Sequence, residues 1–403
     1  MGSGAAAGQG HTGEDPAAGH SRTGEDPAAG HSHTGEDPAA GHSRTGEDPA
    51  AGHSHTGQDP AAGHSHTGED PAAGHSRTGA GAGRGRIRSG AAAGYRGCFH
   101  EAAFYDSDQA FLDVVVPFLA GGLEAGEPVV AAFASHNQAL VADVFGGGIR
   151  YVDAELQFAR PASAIDRYQR MLREYANAGS AQVRVAGEVP HPGTGVPWEW
   201  WARYEAAVNR AFDDFPVWGL CPYDTRIAPA EVMADVRSTH PFLVEGSAHE
   251  ENPGFVVPET FLGGRRSAWR DPLEGTAPVA TFRDPFPAQV RAAIARAGRA
   301  TALAENDVRG LVLGASEAVS NAIHHGTPPM TVRLWSSPQR MLVTVADAGN
   351  GPDAPFAGLF PTSAAASRGG LGLWLAFQSC SLVTFGQSPD GFTIRLVAGQ
   401  ARP

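Results

Sequence analysis

EAVSN, residues 317–321, sits in a run whose apolar residues fall at Val308, Leu311, Val312, Ala315, Val319, Ala322 and Ile323. That spacing follows the helical period and predicts an amphipathic helix with one face turned to a core. At about 100° per residue, Glu317 lies roughly opposite Val308, and Gly310, Gly314, Asn321 and His324 share its side. Glycines inside a helix are costly, each by about 1 kcal/mol relative to Ala, and close approach by a ligand is one motive for keeping two. An ordinary solvated face also carries a Glu and an Asn, so the residues downstream decide between the readings.

After Pro328 and Pro329 come Thr331 to Trp335 and Met341 to Ala346, rich in β-branched and apolar residues and separated by a turn-like Ser336, Ser337, Pro338. This predicts a hairpin. Its second strand ends in DAGNG, residues 347–351, where Gly349 and Gly351 let the backbone turn sharply and approach a ligand. A carboxylate at Asp347 could accept a hydrogen bond from an adenine amino group, and a plain Asp/Gly turn explains the same five residues. Residues 352–370 are polar and rich in Pro, Ala and Ser, and they lead into GGLGLW, residues 369–374. The apolar run from Leu371 to Phe377 predicts a helix, and a glycine-rich loop at its start would offer free N–H groups and a positive dipole end to phosphate. The long loop before it would close as a lid, with Arg368 its one obvious cation. Strands at Leu382–Phe385 and Phe392–Val397 complete a small sheet. In order and spacing, the helix face, the strand end and the glycine-rich loop fit one ATP site.

Residues from about 280 to 400 resemble the Bergerat-type ATPase fold of gyrase-like, Hsp90-like, histidine-kinase and MutL-like proteins, and most of all the Ser/Thr kinase anti-sigma factors of bacteria. The resemblance implies that Glu317 is the general base and that Asn321 holds the Mg²⁺ that bridges the phosphates. It places Asp347 on adenine with Gly349 and Gly351 beside it, and makes Gly369, Gly370 and Gly372 the lid glycines. Phosphoryl transfer is mostly positioning and charge neutralisation, and a carboxylate near an incoming hydroxyl accepts its proton. A site that binds ATP without transferring phosphate stays open as an alternative.

A histidine kinase uses the same ATP fold but needs a phospho-acceptor His on a dimerising helical hairpin, which takes about 50 or more helix-compatible residues. Between Glu245 and Pro287 stand Pro253, Pro258, Pro272, Pro278 and Pro285 with several glycines, and His249 has no helical context. Transfer in trans, to Ser or Thr on a partner, is the preferred expectation, with an atypical histidine kinase as the alternative.

Upstream, helix-like and strand-like stretches alternate from Asp108 to Cys221: helices at Asp108–Leu123, Asn137–Phe145, Ala162–Ala178 and Trp198–Phe212, and strands at Val129–Ala134, Ile149–Val152, Ala181–Ala186 and Val217–Cys221. Such alternation argues for an α/β domain with a largely parallel sheet. FHEAAFY at 99–105, GLEAGEPVV at 122–130 and CPYD at 221–224 resemble the MEDS sensory domain, which implies a RecA/KaiC-like fold and sensing of a small ligand. Several catalytic readings fail on spacing. Gly121 to Gly126 lacks the Lys and Ser/Thr of a phosphate-binding P-loop, and His100-Glu101 is followed by Phe104 where a zinc-protease motif needs His. Cys98, Cys221 and Cys380 are too few and too scattered for a zinc knuckle or a disulfide framework; reduced core thiols are the commoner reading, with Cys221 a ligand or redox contact as the alternative. Trp198, Trp200, Trp201 and Tyr204 line an apolar pocket or, more commonly for such a cluster, pack a core.

From His11 to Gly79 the unit HS(R/H)TGEDPAAG recurs about six times and contains no large apolar residue. It cannot bury a core and is expected to be disordered; its pairs His31/His33, His53/His55 and His64/His66 could hold a transition metal weakly. Eleven Asp and Glu against three Arg give this tail about −8 of the chain's net charge of −13. No basic face is apparent, which argues against direct nucleic-acid binding. No apolar run reaches membrane-span length and no signal-peptide core is visible, so a cytoplasmic protein is expected.

The expected layout is a repeat tail at 1–95, a MEDS-like domain at 96–246, a linker at 247–279 and a Bergerat-fold (GHKL) ATPase domain at 280–403. The fold class is α/β throughout, a parallel-sheet sensory domain followed by a two-layer α/β sandwich. The family resemblance implies ATP and Mg²⁺ as cofactors, a sigma factor and an anti-anti-sigma (STAS) protein as partners, and homodimerisation. The expected activity is Ser/Thr kinase transfer to the anti-anti-sigma partner, or a non-catalytic ATP-binding switch that only sequesters a partner.

Overall fold

The computed structural model describes residues 88–192, 197–263, 265–361 and 371–399. The expectations for the repeat tail and for Arg368, Gly369 and Gly370 lie outside these residues.

The first part of the described chain forms a seven-stranded sheet. Its strands are β1 (Phe99–Tyr105), β2 (Val129–Ala132), β3 (Ile149–Tyr151), β4 (Val183–Gly187), β5 (Val217–Asp224), β6 (Phe242–Glu245) and β7 (Ala248–Glu251), in the spatial order β3-β2-β4-β5-β1-β6-β7. All neighbours are parallel except β6 and β7, which form a hairpin at the edge. Parallel neighbours need crossover helices: α1 (Asp108–Glu124), α2 (Ser135–Val144), the single turn α3 (Ala154–Gln157), α4 (Pro161–Asn177), α5 (Trp198–Ala211) and α6 (Ala230–Thr239). Local chemistry fixes where these helices begin: Ser107 Oγ accepts the Ala110 N–H at the start of α1, and Pro161 occupies the first turn of α4.

Because strand side chains alternate, β1 serves two cores. Phe99, Ala103 and Tyr105 join Phe111, Val115 and Leu119 of α1 on one face, whereas Ala102 belongs to the core with Tyr168 of α4 and Trp201 of α5 on the other. Strand β1 has no polar/apolar alternation because helices cover both faces, and that also explains why FHEAAFY carries no simple strand signal. All four aromatics of the Trp198–Tyr204 cluster are buried as core residues.

The second part is a five-stranded antiparallel sheet of β8 (Ala280–Arg283), β9 (Thr331–Ser337), β10 (Arg340–Asp347), β11 (Leu382–Ser388) and β12 (Gly391–Gly399), ordered β11-β12-β10-β9-β8. Helices α8 (Pro287–Gly298), α9 (Glu305–His325) and α10 (Gly372–Ser379) accompany it. The expected hairpin is β9–β10, but its turn is Pro338–Gln339; Ser336 and Ser337 still pair with Met341 and Arg340. Leu311, Ala315 and Val319 of α9 are buried, as the periodicity requires.

Between Glu245 and Pro287 the described residues form β7, the five-residue helix α7 (Pro258–Leu262), a 3-10 turn at Pro272–Gly275 and β8, with no helix long enough for a dimerising hairpin. Much of this segment is tied to the second sheet. Ser267 N–H donates to Phe385 O at 2.6 Å, Trp335 Nε1 donates to Thr276 O at 3.0 Å, and the buried Arg395 of β12 binds Glu274 through Nε at 2.7 Å. Among the described residues no helix is long and apolar enough to cross a membrane.

Candidate functional site

The alternation of β10 and β12 turns Val345, Asp347, Phe392 and Ile394 toward the helices, where they meet Ala318, Asn321 and Ala322 of α9 and Gly372 and Leu373 of α10 around a cavity of about 260 Å³. Its walls are largely apolar. Among the described residues Asp347 is its only carboxylate, 9% exposed, and its Oδ1 accepts the backbone N–H of Gly349 at 2.7 Å and of Thr327 at 3.1 Å. The aspartate is therefore fixed by the turn that follows it and by the loop leaving α9. A Cβ on Gly349 would sit 2.7 Å from that Oδ1, and Gly351, at φ +74°, has the Phe392 ring 2.3 Å from where its Cβ would be. Both glycines are thus required by the protein's own packing at the cavity rim.

Of the residues expected at the site, Asn321, Asp347, Gly351 and Gly372 line this one cavity, with Gly349 against the Asp347 carboxylate. Glu317 is one helical turn from Asn321 but does not line it. Its carboxylate lies against the start of α10, so near that a Cβ on Gly372 would sit 2.3 Å from Oε2, and it also borders the groove between α8 and α9. Gly310 and Gly314 correct the sequence reading. They face the end of α10 and do not line the cavity; a Cβ on Gly310 would meet Ser379 O at 2.3 Å, and one on Gly314 would meet Cys380 Sγ at 2.7 Å. They are small so that α10 can lie close on α9.

A second crevice, of about 760 Å³, opens at the carboxyl ends of the parallel strands and is lined by Tyr105, Tyr151, Glu188, His191 and Asp224 among others. The chain leaves β2 toward β3 and β4 toward β5, in opposite directions along the sheet. Such a switch point is where open parallel sheets bind ligands. Glu188 accepts hydrogen bonds from Asn137 Nδ2 at 2.6 Å, Ala134 N at 2.8 Å and Tyr105 Oη at 3.1 Å, yet burial still holds its carboxyl above the usual range. Asp224 is the opposite case: the fork of Arg226, with Nη2 at 2.7 Å, holds its carboxyl below the usual range. CPYD is legible as a motif, whereas Glu188 and His191 follow β4 in a stretch with none.

Comparison with known proteins agrees with this division. Residues 99–241 match the model of MEDS, the methanogen/methylotroph DcmR sensory domain, and residues 287–398 match that of the histidine kinase-like ATPase domain. No curated protein matches the chain. Among solved structures, a similarity is found to the RsbU and RsbW domains of Rv1364c from Mycobacterium tuberculosis, at 19% identity and a TM-score of 0.22, covering 32% of this chain and 34% of that one. The chain thus spans about a third of that relative's length, and a match of this size carries no argument about function. Residues 99–241 are thus similar to the MEDS sensory domain and residues 287–398 to the histidine kinase-like ATPase domain, and each match falls on one of the two sheets.

Proposed function

We propose that the chain is an ATP-dependent regulator in which the MEDS domain controls a Ser/Thr kinase of the anti-sigma type. The observation that carries the nucleotide reading is the convergence of Asn321, Asp347, Gly351 and Gly372, from α9, the end of β10, the following turn and the start of α10, on one apolar-walled cavity. The residues fit the group they would hold. An apolar-walled cavity with a fixed carboxylate suits an adenine ring, with Asp347 accepting from its amino group. Asn321, half-buried on α9 in the cavity wall, would hold Mg²⁺ on the phosphate side. Bound Mg·ATP would supply the γ-phosphoryl group and the charge that neutralises it.

Glu317 is the proposed general base, accepting the proton of an incoming Ser or Thr hydroxyl on an anti-anti-sigma (STAS) partner; a sigma factor is the proposed second partner. The reading that transfer takes place in trans is supported by the segment between Glu245 and Pro287, whose described residues hold no long helix and whose His249 lies on an edge strand, 2.7 Å from Glu101. One observation favours a second reading, a partner-sequestering switch without catalysis: Glu317 stands outside the cavity lining, against Gly372.

Transfer of γ-labelled phosphate from Mg·ATP to a panel of candidate anti-anti-sigma proteins separates the readings. Acid-stable label on a partner, lost in Glu317→Ala with ATP binding retained, is the expected result. Acid-labile label on this chain would mean a histidine kinase, and bound ATP with no label anywhere would mean the non-catalytic switch.

A further inference from the structure

Four electron-pair donors from four separate elements meet in the core between the parallel sheet and α5. His100 of β1, Glu205 of α5, Cys221 of β5 and His240 just past α6 each bring one ligand atom, and the four atoms lie within 4.8 Å of one another. The fold explains the meeting. Parallel register sets Ala102 beside Cys221 and Gly219 beside His100, and the two-residue period turns His100 and Cys221 to the same face. Gly219 lies beside the imidazole, where even a Cβ would make only ordinary contact with the ring, at 3.5 Å. Glu205 and Asn209 are one turn apart on α5, so both reach His100.

Proton placement is fixed from outside the cluster. Asn209 Nδ2 donates to the carbonyls of Glu205, Ala206 and Thr239, at 3.1, 3.2 and 2.8 Å. Its Oδ1 is therefore the acceptor for His100 Nδ1–H at 3.1 Å. His240 Nδ1 donates to Val236 O at 2.8 Å. Each ring has its N–H on an outer acceptor and turns a bare Nε2 lone pair inward. There His100 Nε2 stands 3.4 Å from Glu205 Oε2 and 3.4 Å from Cys221 Sγ, and His240 Nε2 stands 3.6 Å from Glu205 Oε2. The other carboxylate oxygen, Oε1, is held by the Tyr223 hydroxyl at 2.5 Å. Among the described residues Glu205 Oε2 and His240 Nε2 have no hydrogen-bond partner, and both side chains are 0% exposed. Lone pairs facing a buried carboxylate are strongly unfavourable unless a positive charge lies between them.

We propose that His100, Glu205, Cys221 and His240 bind a divalent d-block cation, zinc foremost, in the core of the MEDS domain. Metal–N and metal–O bonds of about 2.0–2.1 Å and a metal–S bond of about 2.3 Å put neighbouring atoms of a tetrahedral set about 3.3–3.6 Å apart. The three separations above match that spacing. Mixed imidazole, thiolate and carboxylate donors suit zinc and its neighbours and not magnesium or calcium. Asn209, the Val236 carbonyl and Tyr223 orient the ligands from behind, as outer partners of metal sites do.

The test uses the full-length chain, treated with a chelating resin to remove metal from the histidine-rich repeats, with metal content measured by mass spectrometry before and after reconstitution with Zn²⁺ or Co²⁺. About one equivalent per chain should remain, and Cys221→Ser and His240→Gln should each weaken retention by about tenfold or more, whereas His249→Gln should keep it. The Co²⁺ form should show a thiolate-to-cobalt charge-transfer band that disappears in Cys221→Ser and that the repeats, having no cysteine, cannot give. A wild-type chain that holds no d-block metal under either condition, or that binds Co²⁺ without a thiolate band, overturns the proposal even if the variants prove insoluble. Retention of metal and band by Cys221→Ser overturns it equally.

Discussion

Asp347 shows how a single side chain gains a role from the backbone around it. Its Oδ1 is committed to the N–H groups of Thr327 and Gly349, which leaves Oδ2 as the oxygen to meet an adenine amino group in the proposed site. Asp347→Asn should keep the turn, because the amide oxygen can still accept from both N–H groups, but it would set an NH₂ donor against the adenine donor. Loss of a hydrogen bond to a charged group is worth about 1.5–3 kcal/mol, so ATP should bind about 10- to 100-fold more weakly with an unchanged melting temperature. Titration calorimetry decides this, and an unaltered affinity would take Asp347 out of nucleotide recognition. The residue and its neighbouring glycines were visible in the sequence as a short block after a strand. Glu205 and His100 were not, because their partners come from elements up to about 140 residues apart, and no spacing rule joins such positions. The zinc-protease test on His100-Glu101 had to fail, since adjacent strand residues face opposite sides; Glu101 instead accepts from Trp218 Nε1 at 2.7 Å on the other face.

At the scale of elements, periodicity revealed α1, α2, α4, α5, α9, the β9–β10 hairpin and the closing strands, because each buries one stripe or follows a clear alternation. It revealed neither α8 nor the β6–β7 edge, where short elements carry few apolar positions, nor the reason for the glycines of α9. Those glycines are a contact surface for α10. Replacing Gly310 with Ala would improve helix propensity by about 1 kcal/mol, but the new methyl would meet the Ser379 carbonyl at 2.3 Å, a backbone atom that cannot swing aside. Overpacking of this kind typically costs about 1–3 kcal/mol. Gly310→Ala should therefore lower the denaturant midpoint despite the better propensity, whereas a substitution at exposed Leu313 on the same helix should not. A midpoint raised by Gly310→Ala would mean that α10 does not lie close on α9. The contact matters for the site because α10 begins at Gly372, one of the residues lining the cavity.

Over the whole molecule, the helix that supplies Glu205 to the core of the parallel-sheet part also touches the ATPase part. Trp200 of α5 lies against Phe377 of α10, with ring centroids 6.4 Å apart. The buried Arg203, whose guanidinium is pulled down to about 10 by burial, sits over the Phe385 ring and donates to Pro355 O at 3.3 Å. Phe385 is itself a wall of the cavity around Asp347. From α4, Ser163 Oγ and the Ala162 carbonyl hold the two ends of the Gln378 amide, at 2.6 and 3.0 Å. A core continuous across these contacts predicts that the MEDS and ATPase parts unfold together and that a ligand of one stabilises both. At 100 times its dissociation constant Mg·ATP should add about 2.7 kcal/mol, seen as one thermal transition moving upward and as slower amide exchange in α4 and α5 as well as in α9 and α10. Arg203→Leu keeps most of the apolar bulk and removes the charge and its bond to Pro355, and it should confine the added protection to the ATPase part while ATP still binds. Two separate transitions in the wild type, only one of which responds to Mg·ATP, would show that these contacts do not join the two parts energetically and that control of the site must take another route.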